Sequence, residues 1–222
     1  MTLKKKKTGC FAISGCFTIF LFVCVLAAIV ISFNQKELKK LPIDTESIVL
    51  SRLDDYKPLV ETELRDQDLD QYTALILGMM YQESKGRGGD PMQSSESLGL
   101  KRNEINDPQK SIKQGVHHFS TMYKHGKKKG VDLETIIQSY NMGIGYIDFV
   151  AKNGGKHSET LAKQYSKKQV KRNPEVYTCG GDKDNFRYPY CYGDFTYAEK
   201  VKEKTKTVEE KMKLASSSTP SS

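Results

Sequence analysis

The sequence predicts a mainly α domain with a small β or loop lobe, preceded by one transmembrane helix. Three features predict it. An uncharged apolar run lies near the N-terminus, several capped segments with helical apolar spacing follow it, and a glycine- and proline-rich break separates two of them.

The apolar run comes first in the chain. From Phe11 to Phe33 no residue is charged, and Phe, Ile, Leu, Val and Ala dominate. As a helix this stretch spans about 35 Å at roughly 1.5 Å per residue, enough to cross a hydrocarbon core of about 30 Å. Lys4, Lys5, Lys6 and Lys7 precede it directly, and positive charge prefers the cytoplasmic side. Residues 1–10 therefore read as a basic cytoplasmic region, 11–33 as the anchor, and everything beyond as extracytoplasmic. A cleaved signal peptide is the alternative, but its apolar core is usually about 7–15 residues. Val30-Ile31-Ser32 is a weak cleavage match, and export follows under either reading. Residues 34–44, polar, Lys-rich and containing Pro42, read as the linker off the membrane.

Cysteine usage agrees with export. Cys10, Cys16 and Cys24 fall at the entrance to the apolar run or inside it, where they act as small hydrophobes. Cys179 and Cys191 are the one pair beyond it, twelve positions apart in a stretch rich in Gly, Pro and Tyr. In an oxidising compartment a disulfide there would stabilise the loop by about 3 kcal/mol on the chain-entropy model, and two free thiols are the alternative.

In the outer part, Asp44 or Ser47 suits the start of a helix through Ile48, Leu53 and Tyr56, disturbed at Pro58 and continued through Leu64. Leu69–Glu83 has almost no polar face over Ala74–Leu77, Met79 and Met80, so this helix is expected to run through the core. The break Gly86-Arg87-Gly88-Gly89-Asp90-Pro91 ends it, and a loop or small β-element through Leu100 follows. Asp107-Pro108 has the form of an N-cap with proline at the first helical position, and Ile112, Val116, Phe119 and Met122 recur behind it. Asp132 caps a further helix through Ile136, Ile137 and Tyr140, which stops at Gly143 and Gly145. Glu159–Arg172 is another helical piece. The folded domain is read as 45–201, with 202–222 a charged and then Ser-rich tail.

The net charge of +8 decides little. Part of it is the N-terminal lysine block, and a positive field attracts an anionic cell wall and nucleic acid alike. No Cys-x-x-Cys spacing is present, and His117, His118 and His125 do not match a metal motif such as His-Glu-x-x-His. They read as surface or packed histidines, and no metal or organic cofactor is implied. Gly143-Ile144-Gly145 follows a helix rather than a strand, which excludes a dinucleotide loop.

Glu83 is the residue that suggests chemistry. A carboxylate in the last turn of a nearly apolar helix, beside a glycine loop, sits at the edge of a core and next to a cleft. Partial burial disfavours its charged form and lifts its pKa toward the range where it can donate a proton near neutral pH. Taken alone, a solvent-exposed helix-end Glu is the slightly better reading.

The order of segments tips that balance. Tyr81-Gln82-Glu83-Ser84 closes the buried helix. Asp90-Pro91-Met92-Gln93-Ser94-Ser95-Glu96-Ser97 follows, and Gln138-Ser139-Tyr140-Asn141-Met142-Gly143-Ile144-Gly145 closes a later helix. Over roughly Thr45 to Val201 the chain resembles the lysozyme-like domains related to lytic transglycosylases and goose-type lysozyme, closest to the muramidases of Gram-positive conjugative elements. The resemblance implies peptidoglycan glycan strands as substrate and Glu83 as the acid that protonates the oxygen between N-acetylmuramic acid and N-acetylglucosamine. It also implies that Met92, Gln93 and Ser94 line the sugar cleft and that Tyr140 and Asn141 face Glu83. One tyrosine among Tyr188, Tyr190, Tyr192 and Tyr197 is expected to approach the cleft, although packing is the better reading for each.

Asp90-Pro91-Met92-Gln93 departs from the Gly-Leu-Met-Gln type of segment typical of transglycosylases, which leaves the reaction type open. An inverting hydrolase needs a second carboxylate about 6.5–9.5 Å from the acid to activate water. Asp90 and Glu96 are the candidates. A lytic transglycosylase needs none, because the sugar's 6-hydroxyl closes an anhydro ring. A different class of reading is a non-catalytic wall-binding scaffold working with envelope-machinery partners. A nucleic-acid role is disfavoured by the topology and by the lack of an aromatic-plus-basic motif.

Overall fold

A computed structural model describes residues 45–217. The predicted anchor and linker, 11–33 and 34–44, and the final residues 218–222 lie outside them. Among the described residues no helix is long and apolar enough to cross a membrane.

Helix α1 (Thr45–Arg65) buries Val49, Leu53, Val60 and Leu64 on one face. That stripe continues on both sides of Pro58, so the helix survives a residue that costs about 3 kcal/mol in a helix interior. A short 3₁₀ turn (Asp70–Tyr72) leads into α2 (Thr73–Ser84), where Leu75 to Tyr81 are all buried, as the all-round apolar sequence requires. Lys85 ends α2 in the left-handed region at φ 58°.

Of the β or loop lobe expected after α2, the loop is what the chain forms, because none of the described residues forms a strand. Lys85, Gly86, Gly88 and Gln93 all have positive φ, which interrupts any extended run. The amides of Met92, Ser94 and Ser95 bond to side chains instead of to a ladder. A 3₁₀ turn (Ser95–Leu98) completes this lobe.

Helix α3 (Pro108–Lys129) starts as the sequence predicts, with Asp107 accepting from the Gln109 amide at 2.9 Å. It ends at Gly130 with φ 69°. Helix α4 (Leu133–Met142) is capped by Asp132, which accepts from the Thr135 amide at 3.0 Å. Gly143 then turns the chain directly into α5 (Ile144–Ala151), and α6 (Glu159–Arg172) follows.

The last helix, α7 (Tyr197–Ser217), overruns the expected domain boundary. Residues 202–217, read as a tail, continue the helix and carry the buried Val208. The mixed charges of this stretch are its solvent face, and the stripe Tyr197, Val201 and Val208 is its core face. Helix α7 lies against α2 at the closest backbone approach that glycine permits. A Cβ on Gly78 would sit 2.8 Å from the Thr205 amide nitrogen. The start of α7 is held by Gln138 of α4, whose Nε2 donates to Asp194 O at 2.7 Å and whose Oε1 accepts from the Ala198 amide at 3.0 Å.

Candidate active site

Glu83 occupies the last turn of α2 and is half-buried, at the base of a cleft of about 480 Å³. The buried phenol of Tyr197 donates to Glu83 Oε1 at 2.6 Å, across 114 residues of sequence. Burial pushes the Glu83 carboxyl up to about 7, against the pull of the Tyr197 hydrogen bond and the nearby Arg102 charge. Asp90 and Glu96 add to the rise as like charges. The phenol of Tyr197 is raised well above its ordinary value, by burial first and by Glu83 next, so it stays protonated and donates. The site therefore holds a carboxylic acid close to half-protonation at neutral pH, aimed by a fixed donor.

Two helices and two loops form the walls. Helix α4 contributes Tyr140 and Asn141, and α3 contributes His118. The Tyr140 ring lies parallel to that of Tyr197, 6.4 Å between centroids at 4°, and the His118 ring meets it edge-on at 4.9 Å. Burial lowers the His118 pKa, which favours the neutral ring near pH 7. The Tyr140 hydroxyl donates to Met92 O at 3.0 Å. Asn141 Oδ1 accepts from the Asp194 amide at 2.6 Å, tying the wall to the segment that starts α7. Gln93, Ser94 and Glu96 line the opposite side.

Two of the expected site residues are placed elsewhere. Met92 is fully buried and packs over Gly115 of α3, where an added Cβ would come within 2.6 Å of it. Its side chain does not line the cleft, and its contribution there is the carbonyl that holds Tyr140. Asp90 is also buried and does not line the cleft. Its Oδ1 accepts from the Ser94 amide at 2.9 Å and Ser111 Oγ at 2.7 Å. Its Oδ2 accepts from the Ser95 amide at 3.1 Å and Ser95 Oγ at 2.5 Å. Burial pulls the Asp90 pKa upward, but bonds from Ser111, Ser95 and the two amides together hold it below the usual carboxylate range. Asp90 is the knot that ties the loop to α3. Glu96 is exposed and stays on the cleft wall.

The geometry is matched by kinship. A family model described as Lysozyme-like matches residues 50–205. The chain belongs to the lysozyme-like family. The uncharacterized membrane protein YocA of Bacillus subtilis (strain 168) is 69% identical over 214 residues, 96% of this chain and 95% of that protein. The bifunctional muramidase/DL-endopeptidase CwlT of the same organism is 40% identical over 115 residues, 52% of this chain and 34% of that protein. Pneumococcal vaccine antigen A of Streptococcus pneumoniae serotype 4 is 46% identical over 115 residues, and the match spans 56% of that protein. A crystal structure of a lipoprotein-like protein of the NLP/P60 family from Staphylococcus aureus has a TM-score of 0.60 at 33% identity, covering 70% of this chain and 52% of that one.

Several cleft residues of this lysozyme-like domain lie outside the three motifs. His118 shares one helical stripe with the buried Ser111, Gly115 and Met122, a spacing visible in the sequence. Tyr197 follows Asp194 by the three residues of a helix start, yet nothing local says which tyrosine reaches Glu83. Arg102 and Arg187 also line the cleft, and no local pattern marks either. Arg187 belongs to the loop closed by the Cys179–Cys191 disulfide. Among the described residues no group of three or more His, Cys, Asp or Glu is arranged to hold a metal ion.

Proposed function

We propose that this domain cleaves the β-1,4 bond between N-acetylmuramic acid and N-acetylglucosamine in peptidoglycan, with Glu83 as general acid. The observation that carries the proposal is the Glu83–Tyr197 pair at the base of the cleft. A carboxyl whose pKa is pushed up to about 7 is matched to proton donation near neutral pH, and the phenol at 2.6 Å fixes its direction. Membership of the lysozyme-like family and the similarity to CwlT, a muramidase by name, support the substrate class.

Glu83 gives its proton to the glycosidic oxygen as the bond to the muramyl carbon breaks. The ring of His118 and the exposed edge of Tyr140 offer apolar surface to sugar rings, and the Asn141 Nδ2 offers a donor to their acetamido or hydroxyl groups. Asp90 is a poor base, because both of its oxygens are taken up by serine hydroxyls and amides. Glu96 is the remaining carboxylate on the cleft wall that is able to activate water, and a transglycosylase route through the sugar's own hydroxyl uses Glu83 alone. The uncharged run 11–33 with its four preceding lysines supports a membrane-anchored protein with this domain on the wall side.

The test is wall lysis by the wild-type protein and by Glu83→Gln. Release of soluble glycan by the wild type and a loss of at least 10³-fold in the variant is expected, the scale of losing an essential proton donor. Equal release by the two proteins refutes the proposal, and wall binding without release moves the protein to a scaffold role.

A further inference from the structure

Arg102 and Arg187 reach the cleft from two loops that are far apart in sequence, one beside the Asp90 loop and one inside the disulfide-closed loop. Neither forms an ion pair among the described residues, although both share the cleft with Glu83 and Glu96. Arg102 donates only through Nε, to Gln93 Oε1 at 3.2 Å, which leaves Nη1 and Nη2 without a protein acceptor. Arg187 makes two long contacts, Nε to Asn185 Oδ1 at 3.5 Å and Nη1 to Gly193 O at 3.4 Å. Its loop is nevertheless held in place, since Phe186 packs edge-on against Phe195 at 5.9 Å and lies under Lys200 Nζ at 4.6 Å. Guanidinium forks with unused N–H groups on a cleft wall match the bidentate geometry of a carboxylate.

We propose that Arg102 and Arg187 form an anion subsite in the cleft that takes carboxylates of the glycan strand. This rests on the glycan-cleaving reading and narrows it to a strand bearing negative charge. N-acetylated sugar rings are neutral, and a lactyl carboxyl that carries a peptide is a neutral amide, so the carboxylate comes from the peptide or, where a muramyl sugar bears no peptide, from its free lactyl group. Glu96 is the opposing charge on the same wall and sets the orientation in which an anionic substituent enters. The arrangement also couples binding to chemistry. Arg102 holds Glu83 toward its charged form, and a substrate carboxylate seated on Arg102 cancels that pull, so Glu83 gains its proton as the strand arrives.

The test uses purified walls in three forms: native, with carboxylates converted to amides by carbodiimide chemistry, and stripped of peptides by an amidase, which frees the lactyl carboxylates as the peptides leave. Wild-type kcat/KM is expected to fall about 10-fold on the amidated walls, the scale of losing a charge-assisted hydrogen bond. The ratio of native to amidated rates is expected to drop to about 1 in Arg102→Gln/Arg187→Gln and to recover partly in Arg187→Lys. Stripped strands cleaved as fast as native walls show that a freed lactyl carboxylate fills the subsite, and slower cleavage identifies the peptide as the ligand. In the wild type the alkaline limb of kcat should lie above that of kcat/KM, and Arg102→Gln should merge the two. A wild type that cleaves native and amidated walls equally overturns the subsite while leaving the role of Glu83 intact. A double variant that keeps the wild-type ratio overturns it as well. Loss of all wild-type activity on native walls would instead refute the glycan-cleaving reading itself.

Discussion

Replacing Tyr197 by Phe removes one hydroxyl and leaves the ring in its parallel contact with Tyr140. The lost bond is the 2.6 Å donation to Glu83 Oε1 from a buried phenol. A hydrogen bond to a charged group contributes about 1.5–3 kcal/mol, and the phenol binds the carboxylate more strongly than the neutral acid. If roughly half of that difference is specific to the charged form, the Glu83 pKa rises by about one unit, since one unit corresponds to about 1.4 kcal/mol. The acid must carry its proton to act, so a raised pKa extends activity to higher pH. The alkaline limb of kcat/KM, expected near pH 7 in the wild type, moves to about pH 8 in Tyr197→Phe. Its maximum falls as well, because the carboxyl loses the donor that aims it. The assay is initial-rate release of glycan from walls between pH 5 and 9, with near-ultraviolet circular dichroism to check the fold. A limb that stays in place, or shifts toward acid, refutes the account of how Glu83 is tuned.

Three further outcomes follow from the same contacts. Because Glu83 titrates higher in the folded protein (about 7 against 4.5), its stabilising contribution is complete below pH 4.5 and lost as pH rises through 7. Glu83→Gln should therefore match the wild type near pH 4 and exceed it by about 3 kcal/mol at pH 8 in urea unfolding. Asp90 has the opposite sign: its folded pKa is lowered, so its contribution is present above its ordinary value of 3.8 and disappears at lower pH. Asp90→Ala, which strands two buried amides and the Ser111 hydroxyl, should cost about 3–5 kcal/mol by denaturant titration at pH 7. Gly78→Ala forces α7 away from α2 and with it Tyr197 from Glu83, so it should cost about 1–3 kcal/mol by thermal melting and lower wall lysis as well.

The helices were legible where local rules act alone. Asp107-Pro108, Asp132 and Gly130 mark their boundaries by capping chemistry, and the unbroken apolar run Leu75–Met80 announces a central helix. The helix continues past Pro58 to Arg65, because a buried stripe on both sides outweighs one missing amide. The helix beyond 201 is hard to read because the alternating Lys and Glu of α7 resemble a solvated tail, whereas Val208 within that stretch faces the core. In the site, Glu83, Gln93, Ser94, Glu96, Tyr140 and Asn141 line one cleft. Met92 and Asp90 lie behind it, since an apolar side chain in a loop finds the core and a carboxylate among serines becomes a hydrogen-bond hub. Tyr197, Arg102 and Arg187 reach Glu83 and its cleft through tertiary contacts spanning up to 114 residues, which no local pattern encodes.

Mass spectrometry of the sugars released from purified peptidoglycan, run with the wild type and with Glu83→Gln, tests the central claim most directly. The account predicts fragments ending at N-acetylmuramic acid from the wild type and none above background from the variant. A 1,6-anhydro end would assign transglycosylation by Glu83 alone, and an ordinary reducing end would make Glu96 the next residue to replace. Fragments ending at N-acetylglucosamine, or the same fragments from both proteins, would contradict it.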